Sequence, residues 1–275
     1  MNRFHHGAPD SLLAALPQET AKAVVDLNVI SPDPAQVVVY PSEFLQNAVH
    51  YSWLLPTLKT FKKPLCSLLI SSFPKENAEI LSSLTAAPLV KEPSPAIQHF
   101  LFSLLFDKLN YSSVKPSAFL AESTLTPLLS LTKTQLIELI DYLGIYDLAQ
   151  ELRQIVNKSI IKNVNNALSV KKQRFLKICM HQKEKISVAK LGLINWKGDA
   201  SQLSRVLHRR GLLRLGGALS GQQPEFTWYI VHRLDSGRGH ILENSYSKKE
   251  IPVASAALVL QVLGAINFIK KMGEK

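Results

Sequence analysis

The sequence predicts an all-α protein, an irregular multi-helix bundle built as two helical lobes. Helix caps recur ahead of apolar residues spaced at the helical period, Gly or Pro closes those runs, and β-prone runs are almost missing. The 275 residues are 46% hydrophobic and only 19% charged. That composition excludes a disordered chain, because enough apolar surface is present to offset the entropy of folding.

Taken in order, the elements begin with Leu12 to Leu16, an apolar stretch too short for the core of a secretory signal. Val37-Val38-Val39-Tyr40, between Pro34 and Pro41, is the one β-prone run, short enough to be an extended connection. From Ala86 to Pro95 three prolines interrupt any helix. The expected domains are therefore residues 1–90, an N-terminal helical region, and 91–275, a main helical domain with a basic C-terminal half.

Thr132 and Gln135 have capping-box spacing, followed by Leu136, Ile140 and Leu143 on one stripe, with Gly144 as the expected stop. Asp147 and Gln150 then open a further helix with Leu148, Leu152, Ile155 and Val156 inside. Another starts near Ser169, burying Phe175, Ile178 and Cys179 and presenting Arg174, Lys177, His181 and Lys185 as a basic stripe. Asp199 caps a helix that Gly211 closes, and Pro224 suits the first position of a helix burying Phe226, Tyr229, Ile230 and Leu234. The uncharged run Ile251 to Ile269 has the length of a membrane span. Ser255, Gln261 and Asn267, with several small residues, favour a buried or peripheral helix instead.

Charge is unevenly placed. The net +11 divides into 10 Lys and Arg against 13 acids in residues 1–150, and 22 against 8 in residues 151–275. Such a half suits an anionic partner: an acidic protein face, nucleic acid or an anionic membrane surface. Motifs for chemistry are scarce. The eight histidines make no zinc-type pair, and Gly216-Gly217 and Gly237-Arg238-Gly239 lack phosphate-loop spacing. In Gly217-Ala218-Leu219-Ser220-Gly221 the serine is one position out of a nucleophile elbow. No catalytic residue, metal or cofactor is therefore expected. Cys66 and Cys179 fit a reduced compartment.

One cluster stands out. In Leu207 to Arg214 and Trp228 to Arg238, basic side chains alternate with large apolar ones. This pattern suits a docking surface in which guanidinium forks meet anions and Trp228 anchors the partner, and it equally suits amphipathic helices with a solvated basic face.

Three stretches, Tyr40-Pro41-Ser42-Glu43-Phe44-Leu45 with His50 and Leu55-Pro56, Glu122 to Ile137, and Gly211 to Leu219 followed by Arg233-Leu234, stand in one order along the chain. Together they resemble the SctK (YscK/HrpB4) family of type III secretion sorting-platform proteins. The chain departs from that pattern in its added length, including Ile241 to Lys275. The resemblance implies an all-helical, non-enzymatic adaptor, cytoplasmic and peripheral to the bacterial inner membrane. It would link the cytoplasmic domain of the inner-membrane ring protein SctD to the SctQ pods. The expected partner-binding residues are Arg205, Arg209, Arg210, Arg214, Trp228, Arg233 and Arg238. The alternative is a nucleic-acid-binding protein that neutralises phosphates with Arg174, Lys177, His181 and Lys185.

Overall fold

The computed structural model describes residues 13–14, 16–26, 44–46, 48–109, 114–182, 186, 189–247 and 252–273. Within them the secondary structure is helical, with no strand among the described residues. Val37 to Tyr40 lies outside them. Residues 1–38 form a small unit of their own, containing helix α1 (Gln18–Asp26), and residues 39–275 form the large unit.

The large unit opens with α2 (Tyr51–Leu58), α3 (Lys63–Ser71), α4 (Lys75–Thr85) and α5 (Pro95–Lys108). Leu54, Leu58, Leu69, Ile70, Leu81, Leu101, Phe102 and Leu105 are completely or almost completely buried together, each contributing about 1.5–3 kcal/mol of apolar transfer. The prolines do separate α4 from α5, but a boundary at residue 90 would cut this core. Phe73 packs edge-on against Phe102 at 5.0 Å. The connection itself is tied down, since Val90 N–H donates to Ser71 Oγ at 2.9 Å and Ser82 Oγ–H to the Ala87 carbonyl at 2.7 Å. Trp53, Leu120 and Leu129 pack against both this core and a second one.

The second core is built on α6 (Lys133–Leu152) and α9 (Ala200–Leu219). Between them run α7 (Lys158–Ala167) and α8 (Val170–His181), and after them come α10 (Pro224–Arg233), α11 (Ser236–Ser245) and α12 (Pro252–Gly273). The local signals act as the sequence suggests. Thr132 Oγ1 accepts from Gln135 N–H at 3.2 Å while Thr132 N–H donates to Gln135 Oε1 at 2.9 Å, a complete capping box. Asp199 and Ser169 cap α9 and α8, Pro224 begins α10, and Gly221, at φ 81°, follows the end of α9.

Gly144 and Gly211 do not stop helices. They are mid-helix, where α6 and α9 cross so closely that each lies against the other's backbone. A Cβ on Gly144 would be 2.0 Å from the Leu207 carbonyl oxygen, and one on Gly211 would be 1.7 Å from that of Ile140. A helix broken at either glycine would lose this contact. Asp147 likewise opens no helix: it is a buried residue in the middle of α6, and it binds Arg214 of α9 at 2.5 Å.

Helix α12 meets the length and hydropathy of a membrane span over Ser255–Met272. Here it is packed on one side, with Leu258, Val262, Ala265, Ile266 and Ile269 in the second core and Gln261 accepting from Arg214. Leu260, on the other side, is 68% exposed. The two cores are joined by an aromatic stack: Phe44 on Trp228, Trp228 on His232 at 4.0 Å, and His232 on Trp53 at 4.4 Å.

Candidate functional site

Helices α6, α9 and α11 frame an open groove of about 590 Å³. Its apolar lining comes from Ile137, Leu212 and Ile241, and its polar lining from Asp141, Arg205, His208, Arg209, Asp235 and Arg238. The capping box sets where α6 starts, and the glycine crossing sets how near α9 comes. Residues one turn apart on α9, Arg205, His208 and Arg209, consequently share the groove side.

The middle of the groove is a chain of charge-assisted hydrogen bonds. Asp141 accepts from Lys172 Nζ at 2.7 Å and from His208 Nδ1 at 2.6 Å. Arg238 Nε–H donates to His208 Nε2 at 2.8 Å. A guanidinium can only donate, so Nε2 is the acceptor and the ring proton is on Nδ1. Arg238 Nη1 also reaches Asp235, whose carboxylate caps α11 through the Arg238 backbone N–H at 3.2 Å. Burial raises the Asp141 carboxyl, but the bonds from His208 and Lys172 and the Lys172 charge outweigh it, holding Asp141 below its ordinary range. At Asp235 burial is likewise outweighed, by the bonds from Arg238. The Asp141–His208 pair has the form of an acid–base dyad, but the nitrogen that would face a substrate is occupied by Arg238.

Arg205 and Arg209 are different. Both are exposed, and among the described residues neither makes an ion pair. Two guanidinium groups one turn apart beside an apolar lining can take a carboxylate bidentately while the lining takes an aliphatic side chain.

The other expected contact residues are not all available to a partner. Arg210 does not line the groove: it lies 3.7 Å from Asp147 and donates to the Lys190 carbonyl. Arg238 is half-buried in the chain just described. Arg214 is 4% exposed, bound to Asp147 and Gln261 and lying over the Tyr146 ring at 5.6 Å. Its alternation with leucines reflects a core cation rather than a surface one. Trp228 is stacked inside, between Phe44 and His232. Arg233 donates to the carbonyls of Leu129 and Leu131 at 2.8 Å each, closing the 3-10 turn Thr126–Ser130. Arg214, Trp228 and Arg233 are thus internal fasteners. Sequence reasoning missed Asp141, His208, Lys172 and Asp235 in the groove; a polar Asp141 directly after buried Ile140 was the available signal.

Arg174, Lys177 and His181 are exposed on α8 as the stripe predicted, while Ile178 is 44% exposed rather than buried. Lys185 lies outside the described residues. No group of three His, Cys, Asp or Glu side chains able to hold a metal ion occurs among the described residues. Comparison with known proteins finds no matching family model, curated protein or solved structure.

Proposed function

We propose that this protein is a non-enzymatic adaptor whose groove docks an acidic, partly apolar segment of another protein. The observation that carries this reading is the pair Arg205 and Arg209, exposed and without ion pairs among the described residues, at the edge of a groove lined by Ile137, Leu212 and Ile241. A fork that satisfies a carboxylate in a partly desolvated groove contributes more than a rim charge in water.

The SctK resemblance gives the adaptor a setting: the cytoplasmic face of the bacterial inner membrane, between SctD and the SctQ pods of a type III secretion sorting platform. In this reading Arg205 and Arg209 meet the partner, Arg238 holds His208 and Asp235 in the groove, and Arg214, Trp228 and Arg233 hold the surface in shape. Binding of the purified chain to the SctD cytoplasmic domain and to SctQ, followed by calorimetry, tests it. Binding that weakens with salt and is lost in Arg205→Glu/Arg209→Glu is the expected result. Absence of binding to both at low salt sinks the assignment.

A further inference from the structure

Positive charge in this chain is concentrated in one stretch. Residues 152–198 hold eleven Lys and Arg against one acid, Glu184, and so carry +10 of the chain's net +11. Helices α7 and α8 lie in this stretch and contain no acidic residue. Of their six cations, Lys172 turns inward to Asp141. Lys158, Lys162, Lys171, Arg174 and Lys177 are exposed and make no ion pair among the described residues.

The exposed side of α8 also carries aliphatic groups where a merely solvated helix would be polar. Val170 is 63% exposed and Ile178 44%. At the helical period, Val170, Arg174, Lys177, Ile178 and His181 fall within an arc about 100° wide, opposite the buried Phe175, Leu176 and Cys179. Arg153 donates to the carbonyls of Cys179 at 2.5 Å and Met180 at 3.3 Å, bringing the chain that enters α7 beside the end of α8. That adds Val156, 91% exposed, and Met180, 36% exposed, to this region.

We propose that the segment of α7 and α8 docks on an anionic lipid bilayer, with its cations at headgroup level and its aliphatic side chains in the boundary beneath. Lysine suits that role because its stem lies along apolar surface while its ammonium stays among the headgroups. Nucleic acid fits less well. Four of the five exposed cations are Lys, without a guanidinium fork, and the one aromatic residue of the two helices, Phe175, is buried and unavailable for stacking on bases. The docking face uses neither Arg205 nor Arg209 and stands apart from the groove.

Flotation of the full chain with phosphatidylcholine vesicles, with and without added phosphatidylglycerol, is the test. The chain rises with the anionic vesicles and stays behind with the neutral ones. Each cation near such a surface is worth about fivefold in partitioning, so replacing Lys158, Lys162, Arg174 and Lys177 by Gln lowers it roughly several-hundredfold. Val170→Ser with Ile178→Ser leaves the charge unchanged and lowers it by about tenfold or more. All six positions are exposed, and circular dichroism confirms that the variants keep their helices. Arg205→Glu/Arg209→Glu floats like the wild type. Failure to float overturns the proposal. So does indifference to the Val170 and Ile178 replacements combined with tighter binding of duplex or single-stranded oligonucleotides in a mobility shift, or loss of flotation in the Arg205→Glu/Arg209→Glu variant.

Discussion

Replacing Gly144 or Gly211 by Ala sets two physical effects against each other. Helix propensity alone favours Ala in a helix interior by about 1 kcal/mol. At the α6–α9 crossing, however, the new methyl would be 2.0 Å from the Leu207 oxygen at position 144, or 1.7 Å from the Ile140 oxygen at position 211. Both obstacles are backbone, which cannot rotate away, so the helices must part by about 1 Å. A gap of that order forfeits a quarter to a half of each contact's dispersion energy, and it opens along the buried row of Leu136, Ile140, Leu143, Leu203 and Leu207. Overpacking of this kind costs about 1–3 kcal/mol and sometimes more. With two rigid helices in contact we expect a net loss near 3 kcal/mol, or roughly 6–12 °C in Tm for a unit of this size. Thermal and urea unfolding followed by circular dichroism measure it. Gly264→Ala is the control: that position is exposed, the nearest atom to its Cβ is the Tyr146 hydroxyl at 3.4 Å, and the substitution should be neutral or mildly stabilising. Gly144→Ala or Gly211→Ala as stable as the wild type would refute the close crossing.

Other expectations follow from buried polar groups. Asp147→Ala strands the Arg214 charge in the core and should cost about 3–5 kcal/mol in urea unfolding. Glu151 accepts the backbone N–H groups of Leu191, Gly192 and Leu193, so Glu151→Ala should cost about 2–3 kcal/mol and abolish hydrogen-exchange protection of those amides. The His232 ring, held between Trp53 and Trp228, has its pKa pushed down to about 4, chiefly by burial. The unfolded state therefore binds more protons between pH 6.5 and 4, and stability falls as pH falls through that window, by at most about 3 kcal/mol, levelling off below it. His50 is shifted down mainly by burial too and acts in the same direction. Melting temperatures across this window should slope less in His232→Phe. Arg205→Glu/Arg209→Glu, with both side chains exposed, should change stability by less than about 0.5 kcal/mol, so lost partner binding would not be a folding defect.

Features that depend on neighbours a few residues away were legible in the sequence. The Thr132–Gln135 capping box, the Asp199 and Ser169 caps, Pro224 at a helix start, Gly221 after a helix end and the all-α class each follow from local geometry. Their chemistry acts within one turn, so no knowledge of the rest of the fold was needed. Tertiary structure decided what depends on partners far along the chain. Gly144 and Gly211 are read as stops from local rules and become a crossing point only when residues more than sixty positions apart in the chain meet. Arg214 and Arg233 look like surface charge until Asp147 and the Leu129 and Leu131 carbonyls arrive to satisfy them. Total charge is additive and was already fixed by composition. Which cations remain open to a partner depends on where the long-range hydrogen bonds fall, and among those left open are Arg205 and Arg209 in the groove and Lys158, Lys162, Lys171, Arg174 and Lys177 of α7 and α8.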